Sequence, residues 1–286
     1  MNFILPLFRQ MADFCSPLGY RADTNSSISP GSWYLLMEKM RKISVCMATY
    51  NGARFVDEQI SSILAQLSPA DELIISDDGS TDDTVHKIRA WNDPRIILLK
   101  NSGKRGPVGN FENALRRASG EFVFLADQDD IWMEDKVGVQ LAALLECDLV
   151  LSDAIVVGEE GNLLYQSFFK MNHSGPGFVR NWVNNSFMGC CMAFNRKILD
   201  YVLPFPDNIA MHDSWIGLNA TLIGRCCFLD KPLILYRRHG GNTMASFKKN
   251  HLPVSYQIRY RLQMMAHILM RRISKKPAYP VEKMQQ

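Results

Sequence analysis

Apolar positions along this chain fall into short β-branched runs that alternate with helically spaced stretches. Residues 43–49 (ISVCMAT) form an apolar run that stops at a turn. Over 57–67, Ile60, Ile63, Leu64 and Leu67 recur at helical spacing. Residues 72–80 (ELIISDDGS) read as a buried strand running into an acidic turn, and 81–91 as a helix with Ser80 as its N-cap and Asp83 three residues later. A third strand is predicted at 95–100 (RIILLK), a helix at 110–118 closed by Ser119-Gly120, and a fourth strand at 121–127 (EFVFLAD).

The second half is less regular. It predicts strands at 149–157 and 189–195, a break around Leu199 and residues 204–207, and a helix over 213–223 with Trp215, Leu218 and Leu222 on one face. Residues 226–239 read as a strand pair, and 255–273 as a basic helix. Residues 1–40 keep no period and are broken by Pro6, Pro17 and Pro30. They are expected to be loop or disorder, or to precede a natural start at Met37 or Met40.

Repeated β-α units imply a parallel sheet covered by helices on both faces. Ligands in such sheets bind at the carboxyl ends of the strands. Those ends carry Thr49-Tyr50-Asn51, Asp77-Asp78 and Asp127-Gln128-Asp129-Asp130. Three polar clusters therefore converge on one edge, where a site is expected.

Composition narrows the class. The chain has 286 residues, 47% hydrophobic and 21% charged, which suits a globular protein with a sizeable core and excludes disorder throughout. A formal net charge of +3 is too mild to imply nucleic-acid binding. The seven cysteines include no CxxC pair, so neither a zinc site nor a disulfide framework is expected. Cys190-Cys191 and Cys226-Cys227 read as small buried hydrophobes in a reduced, cytosolic protein. No apolar run is long enough to span a membrane, and the N-terminus makes a poor signal peptide.

Asp127, Asp129 and Asp130 lie within four residues and repel one another when ionised. A hard divalent cation, Mg²⁺ or Mn²⁺, would compensate them and could stabilise a departing diphosphate. The alternative is a solvated acidic loop. Asp77 and Asp78 before Gly79-Ser80 read equally as a capped turn or as acceptors for a nucleotide's base and ribose. Tyr50 could stack on a base or simply pack.

Taken together and in order, MATYNG, SDDGSTDDT and LADQDDIW resemble the family-2 inverting glycosyltransferases of GT-A fold, over roughly residues 43–245. That resemblance implies an α/β GT-A fold: a Rossmann-like nucleotide-binding half on a mixed, mainly parallel central sheet, with a C-terminal helical tail added. It divides the chain into an extension (1–40), a GT-A domain (41–245) and a basic amphipathic C-terminal helix and tail (246–286). By position, Thr49, Tyr50, Asn51, Asp77 and Asp78 would line the nucleotide pocket, Asp127 would meet the ribose, and Lys104 or Arg105 would approach phosphate. Asp129 would be the main metal ligand with His239 beside it, supported by Asp130. Asp213 would be the catalytic base; His212, where the family commonly has Glu, would support it in an open role. Arg237 and Arg238 would pair with phosphate or face solvent. The stretches NNSFMGCCMAFNRK, HDSW and YRRHGGN are nearest the rhamnosyltransferase-like branch.

The resemblance implies transfer of a sugar, rhamnose being the branch's suggestion, from a dTDP- or UDP-sugar donor to a saccharide acceptor in cell-surface polysaccharide synthesis. A lipid-linked acceptor would suit a cytoplasmic enzyme resting on the inner face of the membrane. The tail helix sets Ile258, Leu262, Met265, Ile268, Leu269 and Ile273 on one side and its arginines elsewhere, which fits contact with anionic lipid or packing on protein. The rivals are a nucleotide-sugar-binding protein without catalysis and a nucleotidyltransferase. The loop ATYNGARF lacks the Gly-rich, basic turn of the latter, and the missing GxGxxG excludes a dinucleotide enzyme.

Overall fold

The computed structural model describes residues 42–240 and 253–273. The expected extension at 1–40 and the tail beyond Ile273, with Lys275 and Lys276, lie outside the described residues. One sheet organises the protein. Its strands are β1 (Ile43–Thr49), β2 (Glu72–Asp77), β3 (Ile96–Lys100), β4 (Phe122–Asp127), β5 (Ile131–Trp132), β6 (Leu149–Gly158), β7 (Leu163–Tyr165), β8 (Met192–Asn195) and β9 (Cys226–Arg238). The helices are α1 (Val56–Leu64), α2 (Thr84–Ala90), α3 (Pro107–Arg117), α4 (Lys136–Leu144), α5 (Phe168–Asn172), α6 (Phe178–Val183), α7 (Leu199–Val202), α8 (His212–Ile223) and α9 (Val254–Ile273).

The strand order is β3-β2-β1-β4-β8-β6-β9-β5, with β7 paired to β6. β3, β2, β1 and β4 run parallel, as their β-α repeats require. β8 then reverses direction against both β4 and β6, so the sheet is mixed. β1, β2 and β4 are apolar because both faces are covered; Val45, Cys46, Met47, Ile74 and Phe124 have no exposed surface. α3 sets Phe111, Ala114 and Leu115 against this layer, and Trp215 of α8 is fully buried with its indole N–H donating to Val202 O at 2.9 Å.

Several sequence expectations need correction. Residues 226–239 form one long strand, not a pair: β9 runs parallel to β6 and slips register near Pro232, where proline has no N–H to give the ladder. Residues 189–195 begin as a 3-10 turn (Gly189–Cys191) before β8. Ser80 does not cap α2, which starts at Thr84, because its hydroxyl bonds the Asp77 carboxylate. Cys147 and Cys227 form a disulfide between the lead-in to β6 and the start of β9, against the expectation of none; Cys190 and Cys191 are free and buried as expected, whereas Cys226, expected buried, is free and half-buried.

The tail helix packs on its own domain. α9 buries Met264 and Ile268. Trp182 donates to Arg261 O at 3.0 Å, and Arg271 donates to Leu203 O at 2.7 Å. The apolar side expected from sequence is thereby split: Ile268 turns inward, while Ile258, Leu262, Leu269 and Ile273 stay exposed. No helix among the described residues is long and apolar enough to cross a membrane.

Candidate active site

A cavity of about 210 Å³ opens at the carboxyl ends of β1 and β4 and is closed on its far side by the start of α8. Tyr50, Asp78, Asp127, Asp129, His212 and Asp213 all line it. Residues from 48 to 236 in the sequence meet there because the parallel strands end on one edge while the antiparallel β8 returns the chain to carry α8 in.

The β1–α1 loop is held by its neighbours. Asn51 adopts φ 47°, its N–H donates to Ser80 Oγ at 2.9 Å, and its own Oδ1 accepts from Thr81 N–H at 2.8 Å. Tyr50 is half-exposed, with its backbone N–H given to Gln128 Oε1 at 2.8 Å and its carbonyl taken by Gln128 Nε2 at 3.0 Å. Gly52 makes room for this clamp, since a Cβ there would lie 2.2 Å from Gln128 Oε1.

Asp77 and Asp78 separate in role. Asp77 accepts from the Gly79 and Ser80 N–H groups at 3.0 and 2.9 Å, from Ser80 Oγ at 2.5 Å and from Thr49 Oγ1 at 3.1 Å. Its carboxylate thus holds the turn and is not among the cavity's lining residues. Asp78 does line the cavity and accepts from Asn101 Nδ2 and Gly106 N–H, both at 2.7 Å, which fixes the start of α3. Thr49 is buried at the cavity wall. Lys104 departs from expectation: it pairs with Asp207 and lines a separate surface cavity of about 940 Å³ on the other side of α3.

The acidic cluster is layered. Asp127 is half-buried and faces the cavity. Asp129 Oδ2 lies 2.7 Å from His239 Nε2, joining the β4 end to the β9 end. Asp130 points into the core, where Oδ1 accepts from the Arg237 N–H at 3.0 Å and Oδ2 has no partner among the described residues. Arg237 is buried; it donates to Asp129 O at 3.0 Å and pairs with Glu58, so it braces the metal-side loop instead of reaching for phosphate. Arg238 lies over the Tyr165 ring.

Burial pushes the Asp127 carboxyl up to about 7, helped by the charges of Asp129 and Asp213 and opposed by a hydrogen bond from Cys190. Burial, with the charges of Asp129 and Asp127, raises Asp130 as well. Beneath them Lys136 is fully buried, donates to Gln140 at 2.8 Å, and is pushed down to about 8 by desolvation. Asp213 is 3% exposed, and burial lifts its carboxyl to about 6 against the opposing N–H groups of Ser214 and Gly189. Carboxylates crowded into one cavity favour a bound cation. Asp129 and His239, with Asp127 on the same wall, offer the oxygen and nitrogen donors that Mn²⁺ or Mg²⁺ accepts. Asp127, Asp130 and Cys190 also offer ligand atoms within 4.8 Å of one another. Cys190 is held protonated by a hydrogen bond with Cys191, by burial and by those carboxylates, however, and a thiol ligates poorly until it is ionised.

Sequence reasoning missed Gln128, Asn110, Phe111 and Gly189. Gln128 is the letter between two acids, Asn110 and Phe111 sit on α3 and Gly189 on the 3-10 turn before β8, and only the fold supplies their approach to the cavity.

The Glycosyl transferase family 2 model matches residues 44–203. Over 104 residues the chain is 38% identical to the UDP-Glc:alpha-D-GlcNAc-diphosphoundecaprenol beta-1,3-glucosyltransferase WfgD of Escherichia coli, covering 36% of this chain and 41% of that protein. It thus spans well under half the length of that relative. It is 28% identical over 235 residues to the dTDP-rhamnosyl transferase RfbG of Shigella flexneri, covering 75% and 77% of the two chains. Glucosyl-3-phosphoglycerate synthase from Mycobacterium tuberculosis, in a crystal structure with Mn²⁺, UDP and glucosyl-3-phosphoglycerate, superposes with a TM-score of 0.54 at 17% identity, covering 88% of this chain and 86% of that one. The fold is the GT-A fold.

Proposed function

The chain belongs to glycosyl transferase family 2, and from that premise we propose that it moves a sugar from a nucleotide-diphosphate donor to an acceptor hydroxyl with inversion at the anomeric carbon. The observation that carries the reading is Asp213, a buried carboxylate raised to about 6, lining the same cavity as Asp127 and Asp129. An alcohol is a poor nucleophile until a base takes its proton, and a carboxylate with a raised pKa is a stronger base. Asp213 accepts the acceptor's proton as that oxygen attacks from the face opposite the leaving diphosphate.

Thr49, Tyr50 and Asp78 hold the nucleoside, with Asn51 and Asp77 keeping the turn in shape. Asp129 and His239 would hold a divalent ion, with Asp127 toward the ribose and Asp130 bracing the loop. The ion, when bound, neutralises charge developing on the diphosphate. Similarity to RfbG supports dTDP-rhamnose as donor, and similarity to WfgD supports UDP-glucose and a lipid-linked acceptor. Contact with a membrane is supported by the exposed Ile258, Leu262, Leu269 and Ile273 of α9 beside Arg259 and Arg272.

Thermal-shift titration with UDP-glucose and dTDP-rhamnose, each with and without Mn²⁺, is the test. A metal-dependent rise in Tm with one donor, followed by transfer from it, is the expected result. Donor binding equal with and without metal would refute the metal site, and binding without transfer to any acceptor would favour the non-catalytic reading.

A further inference from the structure

His212 lies at the first position of α8, 5% exposed, with its ring stacked on Phe111 at a centroid separation of 4.0 Å. It lines the same cavity as Asp213. Neither ring nitrogen has a hydrogen-bond partner among the described residues. Gly189 leaves the ring its space, since a Cβ there would lie 3.0 Å from Nε2. A second orphan sits next along the wall: Asn110 is 2% exposed and donates to Thr49 O at 3.1 Å, but its Oδ1 has no partner. Asn110 and His212 thus flank Phe111, one through the chain and the other through the stacked ring, and both line the cavity.

A buried polar atom without a partner costs stability. A fold that keeps three of them on one cavity wall is arranged for a guest that completes them. The guest's chemistry follows from the groups. Burial holds the imidazole neutral by pushing it down to about 3. A neutral imidazole offers one N–H donor and one lone-pair acceptor, and Asn110 Oδ1 offers a second acceptor. A hydroxyl, which both donates and accepts, satisfies this set; an anion would meet lone pairs instead.

Resting on the glycosyltransferase reading above, we propose that His212 and Asn110 form a hydroxyl-reading subsite that selects the sugar bound beside Asp213. Histidine supplies hydrogen bonds there without charge.

The test compares His212→Phe, which keeps the stack on Phe111 but removes both polar atoms, with His212→Gln, which keeps one donor and one acceptor. The probes are UDP-glucose, dTDP-rhamnose and free UDP or dTDP with Mn²⁺, then transfer to a short-chain GlcNAc-diphospholipid. His212→Phe is expected to lower kcat/KM about 10- to 100-fold, as for a site whose hydrogen bond to a substrate hydroxyl is lost. Its Tm should hold or rise, because the unliganded protein loses no hydrogen bond. His212→Gln should recover most of the activity. If the hydroxyl belongs to the donor sugar, His212→Phe weakens nucleotide-sugar binding while free nucleotide binds as before; if it belongs to the acceptor, donor binding is unchanged and the acceptor KM rises. His212→Phe turning over like wild type, or losing Tm with no recovery in His212→Gln, overturns the subsite. Absence of transfer by the wild type with every donor would instead sink the glycosyltransferase reading, which separates the two failures.

Discussion

The sharpest consequence of the site is the pH dependence of transfer. Asp213 must be ionised to accept a proton, and burial sets its carboxyl near 6. One pH unit below that value about a tenth of the enzyme carries the base, and one unit above about nine tenths does, so kcat/KM should climb roughly tenfold between pH 5 and 7 and level off. An ordinary aspartate would leave the profile flat over that range. Asp127 titrates nearby, raised to about 7 by burial and by the charges of Asp129 and Asp213, and would blur the limb. Saturating Mn²⁺ suppresses that contribution by holding the metal-side carboxylates ionised. The assay is therefore initial-rate transfer at saturating Mn²⁺ across pH 5–8, with donor binding measured separately at each pH. Asp213→Asn should lose about 10²- to 10⁴-fold in kcat/KM and abolish the limb, while still binding donor. A flat wild-type profile, or an Asn variant that keeps the limb, would refute Asp213 as the base.

Three further outcomes follow from the same geometry. Asp129→Ala should remove the Mn²⁺-dependent shift in Tm and cut transfer by about 10³-fold, whereas chelator-resistant activity in the wild type would eliminate the metal role. Gly52→Ala should displace Gln128 and weaken nucleotide binding about 10-fold with little loss of fold; unchanged affinity by calorimetry would show the clamp to be idle. Metal-free protein should lose stability as pH rises from about 4 to 7, because Asp127 and Asp213 hold protons in the folded state that the unfolded chain has already released. Mn²⁺ should reverse that loss at pH 8. Below this window Asp93, held down to about 2 by hydrogen bonds from Arg95, works in the opposite direction, and within it His212, lowered to about 3 by burial, offsets part of the loss. Urea midpoints at pH 5 and 8 with and without metal decide the point.

The first half of the fold was legible because both faces of β1, β2 and β4 are covered, so each appears as an apolar run closed by a polar cluster. The second half was less so. β5 is two residues long, too short to have a period, and exists through its pairing with β9. α4 is obscured in the sequence; it buries Lys136 and Gln140 beside Val137 and Leu141, polar letters that hide a core-facing side. Asp77 and Asp78 look alike in the sequence, and only the turn's N–H groups separate the structural acid from the one at the cavity. Its place in the motif points Lys104 toward phosphate, but the fold pairs it with Asp207 in a separate surface cavity. The pairing of Cys147 with Cys227, 80 residues apart, depends on β6 and β9 lying side by side.

The Gln128 clamp has a thermodynamic side. One side chain in the metal-side loop grips both backbone polar groups of Tyr50 in the nucleoside-side loop. Ordering either loop therefore prepares the other. Heterotropic coupling of this kind is reciprocal: an unphosphorylated nucleoside, which cannot touch the ion, should bind more tightly in the presence of Mn²⁺, and Mn²⁺ should bind more tightly, by the same factor, in the presence of the nucleoside. The diphosphate would then strengthen a cooperativity that the protein already possesses without it.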